Sequence, residues 1–300
     1  MNKYAIILAA GKGTRMKSKH DDISKVSFEI LGKPLVKWVI DSLKPIGFDE
    51  IVTVVGFGGE NAKKIVENDS EVVWQKEQKG TGHAVMQAAK LLENKDGLTI
   101  VCCGDTPLLK EETFKGLLDE HEASCNDLTI MTSILDDPFG YGRIVKKGQK
   151  VVKIVEQKDA NDEEKAIKEV NAGVYVFDNK ELFKSLGKIN PNNAAGEYYL
   201  TDVISIFVKD GKKVGTCPVD FAETLGVNDR VQLSIAGEIL KQRINRRHML
   251  NGVTIIDPNN TYIGPDVTIG QDTTIYPNTM ILGNKQIPCD SVIGPNEFIK

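Results

Sequence analysis

The stretch "KYAIILAAGKGTRM" (residues 3–16) joins an uninterrupted apolar run to a basic loop that contains two glycines. The apolar run predicts a strand that is buried on both faces of a sheet. The loop follows the carboxyl end of this strand, where open parallel sheets bind ligands. Glycines let backbone N–H groups approach phosphate oxygens, and Lys12 and Arg15 add positive charge. The stretch therefore predicts an α/β sheet with a phosphate-binding loop.

The loop matches neither of the two common phosphate-binding motifs. A P-loop has four residues between its first glycine and the Gly-Lys-Ser/Thr group, whereas a single residue separates Gly11 from Gly13. The dinucleotide fingerprint needs a third glycine three residues after the second, and Met16 stands there. The loop therefore has to be interpreted from its own residues.

Strand-like and helix-like segments alternate over roughly the first 225 residues. The predicted strands are "KYAIILAA", "EIVTVVG", "LTIVCCGD" and "DLTIMTSI". The predicted helices are "PLVKWVIDSLKPIG", "GENAKKIVEN", "GTGHAVMQAAKLLEN" and "EETFKGLLDEHEA". Such alternation predicts a mostly parallel, Rossmann-like sheet with helices on both faces.

Composition excludes several classes of protein. Hydrophobic residues make up 41% of the 300 residues and charged residues 27%, which is ordinary for a globular protein. The net charge of −4 gives no general attraction to nucleic acid or to an anionic membrane. No signal peptide or membrane-length apolar run is evident, and five cysteines without a C-x-x-C pair favour reduced thiols. We therefore expect a cytoplasmic protein.

The pattern changes near residue 229. The segment "RVQLSIAGEILKQRINRRHMLNG" predicts a helix with Val231, Ile235 and Ile239 on one face. Cations near its end suit the helix dipole better than they indicate a nucleic-acid contact, and Gly252 follows as a stop signal. These features predict three regions, at residues 1–228, 229–251 and 252–300.

The last region carries a repeat of isoleucine at every sixth residue: Ile263, Ile269, Ile275, Ile281, Ile287, Ile293 and Ile299. A six-residue period is typical of a β-helix, in which each coil turns an apolar side chain inward. So few repeats need a cover over the last coil. We therefore expect either a longer parent chain or oligomerisation through the repeat.

With these motifs together, the sequence resembles the sugar-phosphate nucleotidylyltransferases. It is most similar to the N-acetylglucosamine-1-phosphate uridyltransferase half of a family of bifunctional bacterial enzymes, whose other half is a glucosamine-1-phosphate acetyltransferase. The resemblance covers essentially the whole chain and rests on "LAAGKGTRM", "GKP", "GTGHA", "GDTPLL", "GYGRIV", "VEQKDA", "VNAGVYVF", "GEYYLTD" and "GVNDRVQL", in this order. It implies a nucleotidyltransferase fold, then a linker helix and the start of a left-handed β-helix that forms trimers in the family.

The resemblance also implies which residues act. Catalytic roles fall on Arg15, Lys25 and Asp105. Nucleotide contacts fall on Leu8, Ala9, Ala10, Gly11, Lys12, Gly13, Gln75, Gly80 and Thr81. Sugar contacts fall on Gly142, Glu156 and Asn171, and Mg²⁺ would be held by Asp105 and Asn228. His83, as a lone histidine beside a motif, is interpreted as a packing residue rather than a base.

The implied reaction joins UTP and N-acetylglucosamine-1-phosphate to give UDP-N-acetylglucosamine, a peptidoglycan precursor, and pyrophosphate. It needs no general base, because the attacking phosphate is already ionised. Two alternatives remain: another sugar-1-phosphate or base, such as glucose-1-phosphate, and a catalytically silent nucleotide-sugar sensor or scaffold. Acetyl transfer is not expected, because the residues that perform it in the family come after the early coils of the repeat.

The sequence departs from the family between Arg15 and Lys25. The family usually has about six residues there and a proline just before the lysine. This chain has the nine residues "MKSKHDDIS", with acidic Asp21 and Asp22 and with Ser24 in place of proline. The assignment of Lys25 therefore depends on the register of the following "KVSFEILGKP".

Overall fold

The computed structural model describes residues 1–20 and 22–300. Contacts between Cα atoms divide the chain into two units. The first unit comprises Met1–Ser27 and Val36–Gly226, and the second comprises Phe28–Leu35 and Val227–Lys300.

The described residues form strands and helices with the following bounds. The strands are β1 Lys3–Ala9, β2 Glu29–Ile30, β3 Lys33–Pro34, β4 Glu50–Val55, β5 Glu71–Trp74, β6 Leu98–Cys103, β7 Leu128–Ile134, β8 Arg143–Lys147, β9 Lys150–Val155, β10 Glu169–Asp178, β11 Val214–Pro218, β12 Thr254–Ile255, β13 Thr261–Ile263, β14 Thr268–Ile269, β15 Thr274–Ile275, β16 Thr279–Ile281, β17 Gln286–Ile287, β18 Val292–Ile293 and β19 Phe298–Ile299. The helices are α1 Leu35–Leu43, α2 Gly59–Val66, α3 Thr81–Met86, α4 Ala89–Leu92, α5 Glu111–Ala123, α6 Asp162–Lys165, α7 Asn179–Leu186, α8 Asp202–Lys209, α9 Phe221–Thr224 and α10 Arg230–Leu250. Short 3₁₀ turns lie at Thr14–Met16, Lys25–Ser27, Lys44–Ile46 and Pro258–Asn260.

The first unit is built on one mostly parallel sheet in the order β11-β7-β10-β6-β1-β4-β5. Strand β1 is central and pairs in parallel with β4 and β6. Successive side chains of β1 point to opposite faces, so Tyr4 and Ile6 enter one apolar cluster while Ala5 and Ile7 enter the other. Both faces are covered, which confirms the α/β class expected from the alternation.

Strand β10 runs against its neighbours. It lies between β6 and β7 and is antiparallel to both. Its register with β7 shifts between Asn171 and Tyr175, and Gly173 within this bulge has a φ of +73°. A bulge bends a strand and redirects its side chains, so this irregularity bears on the candidate site.

One predicted helix is divided in two. The segment "GTGHAVMQAAKLLEN" forms α3 and α4 rather than a single helix. The N–H groups of Gln87 and Ala88 donate to the carbonyl oxygens of Ala84 and Val85, three residues back, which is the tighter 3₁₀ pattern. This turn interrupts the α-helical hydrogen bonds.

The second unit contains α10 and the short strands that follow it. Val231 and Ile235 on the predicted apolar face are exposed, at 69% and 47%. The buried side of α10 instead carries Ala236, Leu240, Lys241, Ile244, Asn245 and His248. Lys241, one of the cations in this helix, is only 2% exposed. Its ammonium group donates to the Asn259 carbonyl oxygen and lies 4.8 Å from the centre of the Tyr262 ring.

The isoleucine repeat coincides with these short parallel strands. Thr261 pairs with Thr279, Thr268 with Gln286 and Thr274 with Val292, so each strand pairs with one that lies three repeats further on. The side chains of Ile263, Ile275 and Ile281 are fully buried. Among the described residues, no helix has both the length and the apolar character needed to cross a bilayer.

Candidate active site

The loop after β1 is shaped by Gly13 and anchored by Met16. Gly13 has a φ of +59°, and a Cβ atom at this position would lie 2.6 Å from the Cβ of Lys25. A larger residue would therefore be strained and would also displace Lys25. Met16 is 1% exposed and fixes the end of the loop in the core. The loop and Lys25 are consequently packed against each other although nine residues separate Arg15 from Lys25.

A cavity of about 320 Å³, here called the loop cavity, opens at the carboxyl ends of β1 and β6. The predicted residues that line it are Leu8, Ala9, Ala10, Gly11, Lys12, Lys25, Gln75, Gly80, Thr81 and Asp105. Gly13 does not line the loop cavity itself but packs against Lys25, which does. Arg15 is exposed and is not part of the lining. Most of the predicted nucleotide-binding and catalytic residues are thus brought together.

The lining also includes residues that the motifs did not single out: Val26, Gln78, Ala84, Cys103 and Glu197. Each of these residues lies in a quoted segment or next to one. Closeness in sequence to a motif is therefore the signal that could have identified them. Burial is the main cause that raises the pKa of Cys103 to about 12; the Asp105 carboxylate raises it further, and the Lys25 ammonium opposes both. Its thiol is therefore protonated at neutral pH and is not a nucleophile.

Lys25 and Asp105 face each other in the loop cavity. The Lys25 ammonium group forms an ion pair with the Asp105 carboxylate, and their side chains are 15% and 16% exposed. Ser24, which replaces the family's proline, is fully buried, and its hydroxyl lies 2.8 Å from that of Ser27. The 3₁₀ turn Lys25–Ser27 begins directly after Ser24. Asp21 lies outside the described residues.

The donor chemistry of the cavity fits a hard cation. Asp105 offers a carboxylate oxygen in the loop cavity, and Mg²⁺ usually takes one or two protein carboxylates and completes its shell with water and substrate phosphates. Within the described part of the chain, no three His, Cys, Asp or Glu residues are grouped as a metal site. The Asp105 carboxylate therefore suits a metal ion that takes its remaining ligands from water and a bound substrate.

The segments "GTGHA" and "GEYYLTD" are joined by backbone hydrogen bonds at one wall of the cavity. The Gly82 N–H donates to the Tyr198 carbonyl oxygen at 2.8 Å, and the Tyr198 N–H donates to the Lys79 carbonyl oxygen at 2.8 Å. Gly80 has a φ of +110°, and a Cβ there would lie 2.5 Å from the Tyr198 carbonyl oxygen. The Thr81 hydroxyl accepts from the Leu200 N–H at 3.0 Å. Helix α8 follows these contacts and begins at Asp202.

The three predicted sugar-binding residues form a second group, here called the bulge cluster: Gly142, Glu156 and Asn171. The Asn171 N–H donates to the Gly142 carbonyl oxygen at 2.9 Å, and a Cβ on Gly142 would lie 3.3 Å from a Glu156 oxygen. The Asn171 side chain donates to the Tyr175 hydroxyl at 2.7 Å and accepts from the Gly173 N–H at 3.0 Å. Both ends of this amide thus hold the β10 bulge.

The bulge of β10, which Asn171 holds, approaches the loop cavity at Gly173. A Cβ on Gly173 would lie 3.9 Å from the Cys103 sulfur, which lines the loop cavity. The Thr201 hydroxyl donates to Glu156 at 3.1 Å, and burial raises the pKa of this glutamate. Asn228 belongs to the second unit, and its N–H donates to the Gln232 side-chain oxygen at 2.8 Å.

Comparison with protein families places most of the chain in one of them. The family described as nucleotidyl transferase matches residues 4–222. A protein of Geobacillus sp. (strain WCH70) named bifunctional protein GlmU is 53% identical, over 100% of this chain and 65% of its own length. A bifunctional protein GlmU of Bacillus velezensis is 50% identical, over 99% of this chain and 65% of its own length. The chain therefore spans about 65% of the length of these relatives, which confirm its resemblance to bifunctional proteins.

Solved structures show the same fold at low sequence identity. A UDP-glucose pyrophosphorylase complexed with UDP-glucose gives a TM-score of 0.56 at 21% identity, over 72% of this chain and 90% of that chain. A putative glucose-1-phosphate thymidylyltransferase from Bacillus anthracis gives 0.63 at 18% identity, over 79% of this chain and 94% of that chain. With the fold and the family match in agreement, this chain belongs to the nucleotidyl transferase family.

Proposed function

We propose that this chain is a uridylyltransferase that makes UDP-N-acetylglucosamine and pyrophosphate from UTP and N-acetylglucosamine-1-phosphate. The observation that carries the proposal is the loop cavity, which unites the glycine-rich loop, Lys25 and Asp105 with Gln75 and Gly80. A phosphate oxygen of the sugar phosphate forms a bond to the α-phosphorus of UTP. The bond from that phosphorus to the bridging oxygen breaks, and pyrophosphate leaves with the electron pair. No proton has to be moved.

Positioning and charge account for most of the catalysis in such a reaction. Lys12, Arg15 and Lys25 supply positive charge to the triphosphate, and Arg15 is exposed outside the lining of the loop cavity, on the side of the outer phosphates in this proposal. Backbone N–H groups at Gly11 and Gly13 supply further donors. Together with Leu8, Ala9 and Ala10 they form the nucleotide-binding loop.

The two substrates would occupy the two parts of the site. Gln75, Gly80 and Thr81 would read the uracil ring. Gly142, Glu156 and Asn171 would bind the sugar, with the partly buried Glu156 carboxylate accepting from a hydroxyl or amide group. The approach of the β10 bulge to Cys103 would keep the sugar phosphate next to the α-phosphate of UTP.

Magnesium completes the proposal. Asp105 and Asn228 would hold the ion, whose charge would offset that of the substrate phosphates. In addition, we propose that residues 1–228 form the catalytic domain, 229–251 a linker helix, and 252–300 the start of a left-handed β-helix that drives trimer formation. The strand pairing at three-repeat intervals supports the β-helix assignment.

The reaction class is tested by Asp105→Asn, which keeps the size of the side chain and removes its charge. Pyrophosphate release with Mg²⁺, UTP and N-acetylglucosamine-1-phosphate should fall by a factor of about 100 or more. Asp162→Asn is the matched control, because that carboxylate is fully exposed at the start of α6. A wild-type rate for Asp105→Asn would show that the assigned carboxylate has no part in the reaction.

A further inference from the structure

Gln75 is held in the wall of the loop cavity by two contacts of one nitrogen atom. Its side chain is almost completely enclosed, with 3% of the residue exposed. The Nε2 atom donates to the Gly80 carbonyl oxygen at 3.0 Å and lies 3.0 Å from His83 Nδ1. A carbonyl oxygen can only accept a hydrogen bond, so the amide must direct its nitrogen, and not its oxygen, to Gly80.

The same geometry determines the protonation of His83. One N–H of Gln75 is used on Gly80, and the second points to His83 Nδ1, which must therefore be an unprotonated acceptor. Gln87 Nε2 lies further away, 3.4 Å from His83 Nε2, and donates at 2.8 Å to the His83 carbonyl oxygen. A neutral imidazole has a single acceptor nitrogen, and the shorter contact assigns it to Nδ1. His83 is then the Nε2–H tautomer.

The consequence is that Gln75 presents its oxygen to the cavity. Within residues 1–20 and 22–300, the hydrogen bonds of the Gln75 side chain all run through Nε2. Its Oε1 is not among the enclosed polar atoms of those residues that lack a partner, so it has access to the cavity that Gln75 lines. The Gln75 Oε1 atom therefore favours a ligand group that donates a hydrogen bond to it.

We propose that His83 is a positioning residue which, with the Gly80 carbonyl, fixes the Gln75 amide so that the site prefers a base with a ring N–H, such as uracil, over cytosine. This inference rests on the proposed function, because it takes the ligand of the loop cavity to be a nucleotide. Uracil offers an N–H at ring position 3, whereas cytosine offers a second acceptor there. The mismatch leaves two acceptors facing each other in an enclosed site, a loss of about 10-fold to 100-fold in binding.

The environment of His83 supports the neutral state. Burial lowers the pKa of its imidazole, the Lys79 ammonium lowers it further, and Glu77 opposes this. The Tyr198 ring lies on the remaining side, with its centre 6.4 Å from that of the imidazole. Protonation would turn Nδ1 into a donor that faces the Gln75 N–H. Since the pKa is lowered, the base preference should persist to the acid side of the ordinary histidine range and weaken below it.

The test compares His83→Leu with His83→Asn in the full chain. Asparagine can place its Oδ1 acceptor near the position of Nδ1, whereas leucine fills the space without an acceptor. Leucine should reduce the UTP-over-CTP ratio of kcat/KM about 10-fold or more, and asparagine should restore most of it. Gln87→Leu, which removes the more distant contact, should leave the ratio within about 2-fold. Equal ratios in the leucine variant and the wild type, or no rescue by asparagine, would overturn the proposal.

Two readouts do not depend on turnover. Nitrogen-15 NMR of the histidine rings should show His83 as the Nε2–H tautomer at neutral pH, with its signal assigned by its loss in His83→Asn. Calorimetric titration with UTP and CTP gives the base preference in binding alone. If the wild type fails to release pyrophosphate but keeps the tautomer and the UTP preference, the proposed reaction fails and this inference stands. An Nδ1–H tautomer or equal binding of the two nucleotides refutes the inference whatever the activity.

Discussion

At the scale of single residues, the site depends on a few contacts that local sequence constrains strongly. Gly13 allows Lys25 to approach the loop, and the ion pair then holds Lys25 to Asp105. Ser24, which takes the place of the family's proline, is fully buried. It directly precedes the 3₁₀ turn that carries Lys25. The longer connection after Arg15 is thus compatible with a Lys25 side chain in the loop cavity.

Glu156 provides a prediction for the sugar half of the site. Its carboxylate is partly buried in the bulge cluster and accepts from Thr201. Glu156→Ala should raise the KM for the sugar phosphate about 10-fold to 100-fold, because a charged acceptor is lost from the sugar site. The KM for UTP should change by less than about 2-fold, and steady-state kinetics with each substrate varied in turn measures both.

The exposed Glu163 at the start of α6 gives the control, since Glu163→Ala should leave both constants unchanged. An unaltered sugar-phosphate KM in Glu156→Ala would remove this residue from the sugar site. A thermal melt of each variant shows whether the bulge cluster still folds.

Residue patterns predicted the loop cavity well and the hydrogen-bond network poorly. The family resemblance assigned Lys12, Lys25, Asp105 and Gln75 to one site, and all of them line the loop cavity. The link from His83 to Gln75 was missed, since the two side chains meet only when the strand end and α3 fold back on each other. A motif gives the type of a side chain, whereas its partner depends on tertiary packing.

At the scale of elements, the strands that the pattern identified are present and run in one direction, and the sheet adds an antiparallel strand that the pattern did not identify. The apolar runs of β1, β4, β6 and β7 predicted those strands correctly. The antiparallel β10 could not be anticipated, because an apolar strand that is buried on both faces looks alike in either direction. The buried side of α10 was also misjudged, since polar Lys241, Asn245 and His248 are enclosed there by partners such as the Asn259 carbonyl oxygen.

The repeat region gives a prediction about its strands. Ile281 is fully buried in β16, whose neighbours are β13 and β19. Ile281→Ala should lower the free energy of unfolding of the second unit by about 2–5 kcal/mol through the cavity that it leaves. Ile287 in the two-stranded pair β14-β17 is only partly buried, so Ile287→Ala should cost less. Chemical denaturation of both variants makes the comparison, and an equal or reversed order would contradict the inward placement of Ile281.

At the scale of the whole molecule, acid should destabilise the folded chain through its enclosed histidines. His248 is 5% exposed and its Nε2 has no partner among the described residues. Burial, with a further effect of Arg247, lowers its pKa from the ordinary 6.5 to about 4. Between these two values His248 is protonated in the unfolded chain but not in the folded chain. Stability is therefore full above pH 6.5 and falls as the pH approaches 4, by on the order of 3 kcal/mol for this one group.

Thermal unfolding between pH 7.5 and pH 4.5 measures this loss. His248→Gln should make the dependence on pH shallower, while burial of His83 and His121, which lowers their pKa values as well, leaves part of it in place. The exposed His20 serves as the control, since His20→Gln should not alter the slope. A slope in His248→Gln equal to that of the wild type would exclude His248 as a source of acid sensitivity.

Pyrophosphate release by the full chain is the direct measure of the proposed uridylyl transfer. Initial rates should be measured with Mg²⁺ for UTP and N-acetylglucosamine-1-phosphate beside a panel of other nucleoside triphosphates and sugar phosphates. The kcat/KM should be highest for that pair, and no pyrophosphate should be released when Mg²⁺ is removed. Preference for another pair would contradict the assigned pocket residues, and the absence of release with every pair would contradict the proposed enzyme and favour a nucleotide-sugar sensor or scaffold.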